Sequence, residues 1–160
     1  MATKTDFEKD GYQISTDPGK LDIRMVHRYL AEESYWARQI PFETVKRSIE
    51  NSLCFGLYHN GTQIGFARLV TDKATFAYLA DVFILPAYRG KGLSKWLIGT
   101  IHAYPDVQGL RRWMLGTRDA HGLYKQFGWT ALTEEQVPRF MQLHNPDVYT
   151  LNAERQTRNA

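Results

Sequence analysis

The sequence predicts a single mixed α/β domain, a mostly antiparallel sheet with helices on both faces. Three observations lead there. Two helical periods come first, short apolar runs then flank an Asn60-Gly61 pair, and a strand, helix, strand order closes the readable part. With 160 residues and 43% apolar content, the chain suits one packed core and is short for two. The domain is expected to span 1–160, with its core at about 12–132 and flexible polar ends at 1–10 and 152–160.

The first helix is expected over 22–33, where Met25, Val26, Tyr29 and Leu30 share a face and Asp22 suits the N-cap. Pro41 opens a second helix with Phe42, Val45 and Ile49 on one side, ending near Ser52. Residues 53–58 and 63–71 form a hairpin, because Asn60-Gly61 tolerates the positive backbone angles of a tight turn. The long apolar run 75–85 reads as a central strand stopped by Pro86. From Leu93, apolar residues recur at three- and four-residue steps to Tyr104, and Pro105 ends that helix. Strand 112–117, a short helix 120–127 closed by Gly128, and a strand over 129–132 complete the reading. The crossover through 93–104 makes its two flanking strands parallel.

A net charge of +3, with basic residues grouped at 89–95 and 111–118, points to a local anionic ligand and does not indicate nucleic acid. No apolar stretch is long enough for a membrane helix, and the opening MATKTDFEKDG lacks a secretory core, so a cytoplasmic protein with no membrane partner is expected. The lone Cys54 has no disulfide partner, and no Cys/His spacing suits zinc, so no metal is expected.

The chemistry concentrates in the turn Arg89, Gly90, Lys91, Gly92, Leu93, Ser94 and Lys95, between a strand and a helix. Free amides and the positive end of the helix dipole make such a turn an anion cradle, and its glycines let a phosphate approach. Its spacing matches neither the G-x-x-x-x-G-K-[ST] nor the G-x-G-x-x-G phosphate loop.

The turn does resemble the acetyl-CoA loop of the GNAT superfamily of N-acetyltransferases, with Arg89, Gly92 and Ser94 at the patterned positions. The run Leu123-Tyr124-Lys125-Gln126-Phe127-Gly128-Trp129 is similar to a late signature of the same family, and the element order agrees from about Tyr12 to Leu132. The resemblance implies parallel central strands that splay apart to admit the pantetheine arm of acetyl-CoA. Backbone groups of Val82, Phe83 and Ile84 would then bond the arm, with the Val82 amide aimed at the thioester oxygen. It implies Tyr124 as the general acid, Thr117 as a pantetheine contact where the family often has asparagine, and a homodimer as one option. The alternatives are a non-catalytic acyl-CoA-binding module, or an enzyme acting on a peptide or protein amine.

Asp81, a carboxylate inside an apolar run, is either the general base or a group held by a neighbouring arginine. Cys54 reads as an inert packed thiol, which favours direct acetyl transfer to a small-molecule amine. Tyr35 and Trp36, with Glu32 and Glu33 just before them, are expected to hold that amine by charge and ring-face attraction, or else to anchor the connection between helices. Phe66 and Arg68 would complete the pocket, and Tyr78, placed on the same strand face as Val82, would line its channel.

Overall fold

A computed structural model describes residues 5–150. Six strands lie in sequence order in one sheet: β1 (Asp6–Lys9), β2 (Tyr12–Ser15), β3 (Leu53–His59), β4 (Thr62–Thr71), β5 (Phe76–Ile84) and β6 (Arg112–Met114). All neighbours are antiparallel except β5 and β6. The parallel pair follows from the crossover helix α3 (Leu93–His102) that joins them. The expected fold class is found.

Strand alternation divides the side chains between two cores. Phe55, Leu57, Ala67 and Leu69 pack with Leu97, Ile98 and Ile101 of α3, and Tyr124 of α4 (His121–Lys125) joins that side. Cys54, Phe66 and Phe83 pack on the other face against Met25 and Val26 of α1 (Ile23–Arg28) and Val45 and Ile49 of α2 (Phe42–Glu50). Burying apolar area on both faces is what holds a sheet between helix layers, at about 25 cal/mol per Å² removed from water.

Local signals act as expected at several points. Asp22 caps α1, accepting from the Met25 amide at 3.0 Å, and Asn60 and Gly61 both take positive φ in the hairpin turn. Elsewhere the chain departs from its pattern. Residues 6–9, expected to be frayed, form β1, because Asp10 and Gly11 adopt φ of 51° and 80° and turn the chain onto β2. Residues 1–4 of the first expected flexible end, and the whole of the second, 152–160, lie outside the described residues. The first helix gives way to a π-helical turn over Tyr29–Glu33. Residues 129–132 form no strand, since Trp129 instead packs into an aromatic group with His102 and Trp113, its indole N–H donating to His102 Nε2 at 3.0 Å.

Candidate active site

The site begins with a break in the β4–β5 ladder. Phe66 pairs with Phe83 and Arg68 with Ala80, so Asp81 and Val82 stand together opposite the single residue Ala67. Asp81 takes φ of 54°, the left-handed region in which aspartate is tolerated more readily than most side chains, and forms a bulge. The bulge reverses the facing of everything after it. Tyr78 lies on the α1/α2 side of the sheet, whereas Val82 packs towards the α3 core, so the two do not share a face as uninterrupted alternation required. Phe66 is also displaced from its expected role: fully buried, it packs on Phe83 beneath the cleft and reaches no acceptor.

The bulge aims the Asp81 carboxylate at two donors. Arg68 Nε lies 2.7 Å from one oxygen, and the indole N–H of Trp36 donates to the other at 3.0 Å. Arg68 also donates from Nη1 to Ser52 Oγ at 3.2 Å. Of the two readings of Asp81, this geometry favours the held carboxylate, since each of its oxygens is already engaged by a donor from another element.

Beside the bulge the sheet opens. β5 and β6 pair only from Phe76–Arg112 to Tyr78–Met114, and beyond that they diverge. A cleft of about 660 Å³ occupies the divergence, with Ala80, Asp81 and Val82 as its floor. Thr117 and Tyr124 line one wall, and Tyr35 and Trp36 the other. Burial pushes the Tyr124 phenol up to about 12, with Tyr35 adding to the effect. The Tyr124 hydroxyl therefore keeps its proton at any physiological pH. Thr117 Oγ1 accepts from the Ala120 amide at 3.0 Å and so shapes the entry to α4 as well as facing the cleft. Tyr35 spans the cleft mouth: its hydroxyl accepts from the Arg118 amide at 2.9 Å, and the Arg118 guanidinium covers its ring at 4.0 Å.

The turn 89–95 presents backbone as the sequence suggests. Gly90 and Gly92 take φ of 77° and 75°, with open space where a side chain would stand. Gly92 is the N-cap of α3 and supplies no capping side chain, so the first amides of the helix have no side-chain acceptor. Leu93 buries its side chain in the core, which leaves only its backbone for a ligand. Lys91 lies over the Tyr88 ring at 5.5 Å, and Ser94 and Lys95 follow on the first turn of α3. Arg89, expected to add charge around a phosphate, turns inward. Its Nε donates to the Ile84 carbonyl at 2.9 Å and its Nη2 to the Tyr29 hydroxyl at 3.0 Å.

Residues 23–129 match the model of the Acetyltransferase (GNAT) family. The chain belongs to the GNAT acetyltransferase family. It is similar to a solved Xanthomonas campestris protein assigned to the same family, with 46% identity, a TM-score of 0.84, and 89% of this chain and 99% of that one covered. A Clostridium acetobutylicum acetyltransferase crystallised with acetyl-CoA shares the fold at a TM-score of 0.62 and 16% identity, over 83% of this chain and 94% of that one. A Gibberella zeae protein bearing an acetyltransferase name is 34% identical, over 54% of this chain and 60% of that protein. The chain thus spans 60% or less of the length of the curated relatives it matches.

In this GNAT chain the cleft gathers Tyr35, Trp36, Arg68, Tyr78, Asp81, Val82, Thr117 and Tyr124, and excludes Phe66. Glu32 and Glu33, offered by the sequence as acidic help for an amine, are exposed on the π-helical turn and do not line the cleft. His144 and Tyr149 do line it. Burial raises the Tyr149 phenol, and Asp81 adds to the rise. No periodicity announced either residue, because His144 lies in an irregular segment and Tyr149 in the short helical turn 148–150, both returning to the site from far along the chain. Cys54 stays apart: buried in the α1/α2 core, its thiol is pushed up to about 12 by burial and is not a nucleophile near neutral pH. No helix among the described residues is long and apolar enough to cross a membrane.

Proposed function

We propose that this GNAT chain transfers an acetyl group from acetyl-CoA directly to a small-molecule amine held in the β5/β6 cleft. The observation that carries the reading is the meeting of three features there: the unpaired β6-side edge of β5 beyond Tyr78, the protonated Tyr124, and the Gly90/Gly92 cradle that follows β5 in the chain.

The residues fit the cofactor. A pyrophosphate needs amides and room, and the α3 N-terminus offers both beside Lys91 and Lys95. A pantetheine arm needs a strand edge with which to exchange amide hydrogen bonds, and Val82, Phe83 and Ile84 would supply one on a stretch that β6 has left, apart from the Ile84 carbonyl, which Arg89 already holds. When bound, acetyl-CoA supplies a thioester carbonyl open to nucleophiles. The Val82 amide is the donor suited to the oxygen on which charge develops, a contribution of roughly 3 kcal/mol. In the transfer the amine nitrogen forms its bond to the acetyl carbon as the carbon–sulfur bond breaks. Tyr124 would give its proton to the departing sulfur and regain one from the water that takes the proton shed by the amine nitrogen at the cleft mouth, leaving the amide and the free thiol as products. Asp81 orients Arg68 and Trp36 around the acceptor.

Thiol release measured over an amine panel, alongside calorimetric titration with acetyl-CoA, tests the reading. Binding with turnover supports it. Binding with no turnover on any amine, peptide amines included, would mark a cofactor-binding module.

A further inference from the structure

The charges that line the cleft are already matched. Its carboxylates among the described residues are Asp81, bonded by Arg68 and Trp36, and Asp119, 3.7 Å from Arg118. Each acid has an arginine beside it, so these walls offer a cation no uncompensated negative charge. Arg68 is committed in turn, through Nε to Asp81 and Nη1 to Ser52. What remains open is ring surface. Trp36 and Tyr78 line the cleft yet are 41% and 40% exposed, and Tyr35 is 44% exposed although the Arg118 guanidinium covers one face of its ring. The apolar wall continues past them, since Val70 pairs directly with Tyr78, and Val70 and Phe76 are also exposed. Packing does not require rings left open around a catalytic cleft, and clustered exposed apolar groups mark binding surfaces.

We infer that the acceptor is a primary monoamine with an aromatic body, an arylalkylamine seated against Tyr35, Trp36 and Tyr78. This rests on the acetyl-transfer reading of the same cleft. Ring faces attract the ammonium while it is protonated and then pack the aromatic body as it leaves water. A polyamine would bring a second ammonium into walls whose acids are already paired, where it loses hydration without gaining a partner. An amino acid would bring a carboxylate that must compete with Asp81 for Arg68, or with Asp119 and the Tyr35 ring for Arg118. An aminosugar would set several hydroxyls against ring faces. Tyr78 becomes a specificity-determining residue, because it joins the cleft floor to the apolar strip at Val70 and Phe76.

The experiment compares CoA thiol release by the purified protein with phenethylamine, spermidine, glucosamine and lysine, with acetyl-CoA binding followed by calorimetry. The expected kcat/KM for phenethylamine exceeds that for each of the others by about tenfold or more, the worth of one well-packed ring contact. Tyr78→Ala is expected to raise KM for phenethylamine roughly tenfold while leaving the KM for acetyl-CoA within about twofold. Tyr78→Leu, which keeps apolar bulk and guards against a folding defect, should fall between. Preference for spermidine, glucosamine or lysine, binding of acetyl-CoA without phenethylamine turnover, or an unchanged phenethylamine KM in Tyr78→Ala would overturn the aromatic acceptor and leave the donor reading standing. Failure to bind acetyl-CoA at all would overturn both.

Discussion

Arg89 donates to the Ile84 carbonyl at 2.9 Å, so the arginine at the head of the glycine turn 89–95 fixes the place where β5 ends. Its Nη2 continues to the Tyr29 hydroxyl, and the Tyr29 ring stacks on Phe83 at 3.8 Å. The donor loop, the central strand and the π-helical turn after α1 are thereby fastened at one point. Tyr29→Phe keeps the stacked ring and removes only the acceptor of Arg89. It is expected to lower stability by about 1 kcal/mol and to weaken CoA binding several-fold with kcat unchanged, as read by thermal melting and calorimetry. An unaltered CoA affinity would show that Arg89 needs no such brace.

The cradle itself depends on backbone that a side chain resists. At Gly92, φ of 75° disfavours any other residue even though no neighbouring atom blocks a methyl group. Gly92→Ala should cost about 1 kcal/mol of stability and at least tenfold in CoA affinity, because the methyl would occupy the approach to the α3 amides. A CoA affinity unchanged in the folded Gly92→Ala protein would mean that the cradle holds no phosphate.

Asp81 and Arg68 form a pair with only 10% and 18% of their side chains exposed. Removing one partner leaves the other charge unmatched, so Asp81→Asn is expected to cost about 2 to 3 kcal/mol. A double-mutant cycle with Arg68→Gln should return a clear coupling energy. Activity should fall in step with the acceptor KM. A base would behave differently, losing two or more orders of magnitude in kcat while stability held.

Buried phenols and a buried thiol make the fold sensitive to alkali: Tyr58 is raised by burial as well, and Tyr124 and Cys54 set the window. Burial raises the Tyr124 phenol from 10.0 to about 12 and the Cys54 thiol from 9.0 to about 12. Between the ordinary and raised values the unfolded chain gives up its protons while the folded chain keeps them. Stability is therefore complete below pH 9 and declines as pH rises towards 12, by on the order of 3 kcal/mol at pH 10.5. Urea unfolding at pH 8 and pH 10.5 measures it. A flat profile would place both groups in water.

The sequence carried the helix periods, the Asn60-Gly61 turn and the cradle because each is a local signal: a spacing, a dipeptide or a glycine pair. The bulge at Asp81 was hidden because nothing around an aspartate in an apolar strand shows that it will take a positive φ. From that one residue follow the reversed facing of Val82 and the capture of its carboxylate by Arg68 and Trp36. Asp10-Gly11 was legible as a hairpin pair, yet the polar residues around it read more readily as a loose end. His144 reaches the cleft from an irregular segment and Tyr149 from the helical turn 148–150 that follows it, and Phe66 leaves the cleft through burial. Contacts of that kind are set by tertiary packing and have no period to read.

The central claim is that Tyr124, its proton held by burial at the wall of the β5/β6 cleft, serves acetyl transfer from acetyl-CoA. The most direct measurement is CoA thiol release by Tyr124→Phe beside the unaltered chain, with acetyl-CoA affinity determined for both. The account predicts turnover reduced about a hundredfold or more with affinity within about twofold. Turnover that survives the loss of the hydroxyl would contradict it.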